Sequence, residues 1–334
     1  MAILQHAAPP AGPLPPLITP TTSLEQAVRG GSLGVGYGGG GFLVFYYIGI
    51  SKILHQLGII KPGSVKTAGA SIGVLAQGVD HPGMPPHDEW IRKGIEFSAG
   101  CRADHDCVGS LDKHYAGLIE EMVPPHALES INGRACGVVS WYNGGKPQGG
   151  YVCNYKDRAE VVESIRVGCY VPGWSGAATH LTLQGKAAFD GAFQQLLPCP
   201  PNVTYCIKIA GLAPWNPAPS VEAALDPSAM AETLAAAMAG MEATEGSNPM
   251  DAMFNGPEGL NSLEMPGWLR LLAMAQQPIA DIYPGKFSKS PLTPAQLLRY
   301  VFTPPTEAQA MRLYRLGQTD ARAWAKSVGW PTLR

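Results

Sequence analysis

Residues 33–50 read LGVGYGGGGFLVFYYIGI, and the fold turns on how this stretch is parsed. Leu33-Gly34-Val35-Gly36-Tyr37 has the look of a short strand, and four glycines follow, Gly38 to Gly41. From about Phe45 to Leu57 the apolar residues Tyr47, Ile50, Leu54 and Leu57 fall at helical spacing, with Gly58 as the stop. Val65–Ala68 then reads as a second strand, running into Gly69-Ala70-Ser71-Ile72-Gly73. A strand, a glycine loop, a helix and a strand in that order predict an α/β layered sheet.

The alternation continues downstream. A helical unit begins near Trp90 and includes Leu111–Glu121. Strands over 134–142 and 150–155 flank an Asn143-Gly144-Gly145 turn, a helix covers 157–168, and short strands sit at 187–189 and 203–209. Residues 1–22, with six prolines among Ala and Thr, read as an extended leader. At Pro214-Trp215-Asn216-Pro217 the character changes to an Ala-, Met- and Leu-rich helical extension. In it, Ser220 opens one helix and Thr293-Pro294 starts another. A third opens at Thr306, ends at Gly317 and restarts at Thr319-Asp320. The expected division is a leader over 1–22, an α/β domain over 23–213 and a helical extension over 214–334.

Composition removes several classes. Charged residues are 15% of the 334, against about 25% in average proteins, and the net charge is −2, so no field favours nucleic acid. No apolar run reaches the ~18–20 residues of a membrane span. The first 28 residues contain no Lys or Arg, so a basic secretory n-region is not expected. Seven cysteines, an odd count in a long chain, suggest a reducing compartment.

Gly34-x-Gly36-x-x-Gly39 matches a dinucleotide fingerprint literally, but no Asp or Glu lies between Glu25 and Asp80 to hold a ribose. Gly69-x-Ser71-x-Gly73 is a nucleophile elbow, a sharp strand-to-helix turn that exposes a hydroxyl at a helix N-terminus. Preceded by a glycine loop whose N–H groups can approach an oxyanion, it is equipment for acyl transfer. The base is open between His180, the last histidine, and Asp190, at the end of the short apolar strand Ala187-Ala188-Phe189. Against these stands the bland alternative of tight turns in a chain with 40 glycines.

Three segments in order, Gly39-Gly40-Gly41-Phe42-Leu43, Gly69-Ala70-Ser71-Ile72-Gly73 and Asp190-Gly191-Ala192, together resemble the patatin-like phospholipase family. The wording is most similar to its adiponutrin and adipose triacylglycerol lipase branch. Tyr170-Val171-Pro172 through Leu183-Gln184-Gly185 to Pro198, and the late Leu313–Ala321 segment, add to that likeness. The resemblance implies a three-layer α/β/α patatin-like domain with a helical C-terminal extension. It implies a lipid acyl hydrolase, of triacylglycerol lipase or phospholipase A type, that needs no cofactor and no metal. Ser71 would attack the ester, Asp190 would take its proton, and the N–H groups of Gly39, Gly40, Gly41 and Ile72 would hold the oxyanion. The partner would be a glycerolipid, met by a cytoplasmic protein or one peripheral to a membrane or lipid droplet. The alternative is a catalytically weak relative that binds lipid as a scaffold; an acyltransferase using the same dyad is a third reading.

The chain departs from the family's pattern at Val44 and Leu196, where Gly and Asn are usual, and at Ile72, where a small residue is usual. Three other features are weighed. Cys101-x5-Cys107, around Asp104, His105 and Asp106, reads as a surface loop with two thiols rather than a metal site. Asn202-Val203-Thr204 is a glycosylation sequon discounted for lying in an expected strand. Met265–Met274 reads as a helix packed on the domain in preference to a membrane-docking one.

Overall fold

The computed structural model describes residues 20–143, 146–212, 280–287 and 289–331. The change of character at Pro214, the helix at Ser220 and the Met265–Met274 segment lie outside the described residues.

A seven-stranded mixed sheet organises the chain, in the order β5-β6-β3-β2-β1-β7 with β4 paired to β3. The strands are β1 (Leu33–Tyr37), β2 (Lys66–Gly69), β3 (Ala135–Asn143), β4 (Lys146–Val152), β5 (Leu181–Leu183), β6 (Lys186–Asp190) and β7 (Tyr205–Ile209). β7, β1, β2 and β3 are mutually parallel; β4, β5 and β6 join antiparallel. Every residue of β1 is buried, as a central parallel strand covered on both faces requires.

One register relation positions the site. Gly137 of β3 pairs with Gly69 of β2 and also with Val152 of β4. Val139 pairs with Asp190 of β6 and also with Gly150 of β4. β4 therefore takes one edge of β3, while β2 and β6 share the other and run toward each other. Their carboxyl ends stop two β3 residues apart, about 7 Å along the strand.

The helices are α1 (Leu24–Gly30), α2 (Val44–Gln56), α3 (Ile72–Ala76), α4 (His87–Ala103), α5 (Leu111–Met122), α6 (Ala127–Ile131), α7 (Arg158–Gly168), α8 (Pro294–Phe302) and α9 (Glu307–Ser327). Ser23, Thr293 and Thr306 each close a capping box, so the expected starts at Thr293 and Thr306 hold, and α1 adds a start at Ser23 that the sequence reading did not name. Gly58 follows α2 at φ 68°, the left-handed stop expected there. α2 differs from the one-faced helix of the sequence reading, for Val44 through Leu54 are buried all round except at Lys52. α9 supplies the cover. A Cβ on Gly49 would lie 2.1 Å from the Tyr314 carbonyl oxygen, and one on Gly317 would lie 2.1 Å from that of Tyr46. The two helices cross through this pair of glycines. Gly317 does not end a helix: α9 runs unbroken through it, and the residue is glycine because a backbone passes there. Tyr46 donates to the buried Asp320 at 2.9 Å across the same contact, and the Trp330 indole donates to Leu57 O.

The dinucleotide fingerprint also finds its explanation here. Gly34 and Gly36 lie within β1, where Cβ atoms would collide with the Pro200 ring and the Pro198 carbonyl of the segment crossing over the strand. They serve that crossing.

The cysteines overturn the thiol reading. Cys101–Cys107, Cys136–Cys153 and Cys199–Cys206 are disulfides, and Cys169 alone is free. Cys136 and Cys153 are brought together by the β3–β4 pairing, which no sequence spacing announces. Six paired cysteines do not match the expected reducing compartment. No helix among the described residues is long and apolar enough to cross a membrane.

Candidate active site

Ser71 sits on the turn between β2 and α3 at φ 51° and ψ −132°, a strained position for a residue with a Cβ. Two close approaches hold it there. A Cβ on Gly69 would meet the Gly73 carbonyl at 2.2 Å, and one on Gly73 would meet the Tyr37 carbonyl oxygen at 2.3 Å. The elbow therefore needs glycine on both sides of the serine. A serine at a helix N-cap ordinarily accepts an N–H from the first turn. Ser71 makes no such bond, so its hydroxyl is left for other chemistry.

Asp190 ends β6 and comes from the opposite direction to face it. Its backbone is pinned on both sides: the N–H donates to Tyr170 O at 2.9 Å, and its carbonyl accepts Ser140 Oγ at 2.7 Å. Oδ1 accepts the Ala192 N–H at 2.7 Å, while Oδ2 is buried without a hydrogen bond. Gly191 is required beside it, because a Cβ there would lie 2.2 Å from the Val138 oxygen. Burial pushes the Asp190 carboxyl up to about 7, moderated by the Ser71 hydroxyl and the Ala192 N–H. The Ser71 hydroxyl is close enough to favour the ionised form, yet not in full hydrogen-bond geometry with Oδ2.

A second buried carboxylate, Asp80, takes the opposite course. Burial alone would raise it, but His55 Nε2 at 3.0 Å, Ser51 Oγ at 2.6 Å and Tyr37 OH at 2.5 Å outweigh that and hold it below its ordinary value. Asp80 is a fully satisfied strut. It ties Tyr37, whose carbonyl accepts the Ala70 N–H at 3.1 Å, to the end of the elbow helix. The surroundings of these two buried carboxylates drive them in opposite directions, Asp80 down and Asp190 up.

The glycine loop completes the setting, with one difference from expectation. Gly39 donates its N–H to Leu196 O at 3.1 Å, so that donor is occupied. The N–H groups of Gly40, Gly41 and Ile72 make no hydrogen bond within the described residues. Ile72 is the first residue of α3 and has no carbonyl a turn behind it in the helix. Gly41, at φ 53°, has its Cβ position filled by the Val301 carbonyl oxygen of α8, 1.8 Å away. A late helix thus shapes the loop from behind. Leu196 lies against Gly39, where a Cβ would meet its Cδ1 at 2.9 Å, so this side chain packs the loop.

Ser71, Ile72 and Gly41 open onto a cavity of about 760 Å³ measured out to its mouth. Its wall is apolar, built by Phe42, Phe45, Leu75, Trp90, Phe97, Tyr115, Leu118 and Met122, with the bidentate Asp112–Arg166 pair at 2.5 and 2.6 Å among its few polar groups. Asp190 is not on that wall; it stands behind Ser71, 1% exposed. The sequence reading missed Cys169, whose buried thiol bonds Ser71 O at 2.9 Å and lies 3.1 Å from Tyr115 OH. Burial, with Asp190 adding to it, keeps this thiol protonated. Nothing around Cys169 in sequence marks it. His180 is exposed against the Tyr142 ring, away from Ser71, which closes the histidine alternative. Among the described residues no group of His, Cys, Asp and Glu is arranged to hold a metal ion.

No protein-family model matches the chain, and no curated protein matches it.

Proposed function

We propose that this chain is a lipid acyl hydrolase of patatin-like, three-layer α/β/α architecture, cleaving glycerolipid esters through an acyl-enzyme on Ser71. The observation that carries the reading is a strained, uncapped serine on the wall of an apolar cavity, backed by a sealed carboxylate with an unpartnered oxygen. An acyl chain would lie along Phe45, Leu75 and Leu118. The ester carbonyl would sit over Ser71, its oxygen toward the N–H groups of Ile72, Gly40 and Gly41. Asp190 would accept the Ser71 proton as the C–O bond forms, return it to the departing alkoxide, and then activate water against the acyl-enzyme. A dry carboxylate is a stronger base than a solvated one, so burial of Asp190 supports this assignment.

The test is fatty-acid release from triolein and from phosphatidylcholine vesicles, side by side, by wild type and Ser71→Ala. Release that depends on Ser71 supports the hydrolase. Release equal in the two proteins refutes it, and failure of a fluorophosphonate to label Ser71 points to a lipid-binding scaffold instead.

The pH profile follows from the same carboxyl. The base works only when ionised, and its value near 7 places the protonated, inactive form at lower pH. The expected kcat/KM rises about tenfold per unit below that value and levels above it. A profile flat between pH 5 and 8 would remove Asp190 as the base.

A further inference from the structure

We propose that Asn202 carries an N-linked oligosaccharide and that the chain matures in an oxidising compartment. This rests on groups outside the cavity and does not depend on the reaction assigned above. Asn202-Val203-Thr204 is the one Asn-x-Ser/Thr sequon with a non-proline centre in the 334 residues. The strand expected over it begins only at Tyr205, so Asn202 lies in the turn before it. There it is exposed, at φ 58°, and its side chain makes no hydrogen bond within the described residues. The turn is clipped on both sides by Cys199–Cys206. This disulfide is one of three, each in a different part of the chain, that together use six of the seven cysteines. Pairing on that scale is the mark of oxidising compartments, where asparagine glycosylation also takes place.

The topology shows what a glycan here would leave untouched. Tyr205 pairs with Leu33, the first residue of β1, and the Lys66 ammonium, on the first residue of β2, reaches Asn202 O at 3.4 Å. Asn202 therefore marks the amino ends of the parallel strands, and Ser71 follows the carboxyl end of β2. A glycan would project from the far edge of the sheet and leave the cavity mouth clear.

In the transfer, the Asn202 amide nitrogen bonds to the anomeric carbon of a lipid diphosphate-linked oligosaccharide. The carbon–oxygen bond to phosphate breaks, the lipid diphosphate leaves, and the amide gives up one proton. Each cysteine pair gives two electrons and two protons to a disulfide-bearing thiol oxidoreductase, which is reduced to its dithiol. The experiment uses protein purified from its own cells, where the route of entry is the native one.

That protein is digested without reduction and mapped by mass spectrometry, with and without peptide N-glycosidase. The expected result is a Cys199–Cys206-linked peptide carrying hexosamine-based mass at Asn202, which the glycosidase removes to leave aspartate. Asn202→Gln, expressed in the same cells, loses the corresponding gel shift and keeps any ester hydrolysis of the unmodified sequence. A bare Asn202, or free thiols at Cys199 and Cys206, overturns the proposal.

Discussion

If the proposed hydrolysis is right, Ser71→Ala and Asp190→Asn are each expected to lower it by on the order of 10⁴-fold or more, with the double variant no worse than the weaker single one. That non-additivity is expected of groups acting as one unit. The two variants part in stability. Folded, the Asp190 carboxyl titrates near 7; unfolded, it titrates near about 3.9. A raised carboxyl value means that the folded state prefers the proton, so stability is lost as pH rises from about 4 to 7 and stays lost above. The cost of keeping this charge buried at pH 8 is up to about 4 kcal/mol. Asp190→Asn removes it while still accepting the Ala192 N–H, and is expected to melt above wild type at pH 8. The advantage should shrink toward pH 5. Ser71→Ala leaves the carboxyl in place and gains no such stability. Chemical denaturation of the three proteins at the two pH values reads the difference, and an Asp190→Asn protein less stable than wild type at pH 8 would contradict the burial cost.

Gly317→Val destabilises the protein by roughly 3 kcal/mol or more, although intrinsic helix propensity points the other way. In an exposed helix interior, replacing glycine with a residue carrying a Cβ helps by a few tenths to about 1 kcal/mol. Here the new carbon would lie 2.1 Å from the Tyr46 oxygen, so α9 must lift from α2. Lifting it loosens the Tyr46–Asp320 bond and uncovers buried faces of both helices. Gly49→Val, reciprocal across the crossing, should cost a similar amount. Because the two lesions open one contact, the double variant costs less than their sum. Thermal melts of the single and double variants test this, with Tm falling by on the order of 5 °C or more. A Tm unchanged or raised by Gly317→Val would mean that the helices do not cross at these glycines.

Much of the candidate site was legible before any coordinates. Gly69, Ser71 and Gly73 announce an elbow because a backbone that passes this close admits only glycine on either side. Gly191 beside Asp190 carries the same message. Such constraints are local, so they are written in neighbouring residues. The failures share the opposite property. Gly317 read as a helix end because its reason, the Tyr46 carbonyl, is 271 positions away in the chain. Gly39 read as an oxyanion donor because nothing nearby reveals that Leu196 O takes its N–H.

By itself, then, the sequence determined the order of strands and helices, the elbow, the glycine loop and a carboxylate at a strand end. Local sterics and hydrophobic spacing act within a few residues. Only the tertiary structure decided which titratable side chain faces Ser71. Asp190 is chosen over His180 because β2 and β6 share one edge of β3 and end facing each other. It likewise decided which cysteines pair, and it built the cavity from α2, α3, α4 and α5. Pairing of distant strands and packing of distant helices depend on the whole chain closing on one core, and no short stretch of sequence contains them.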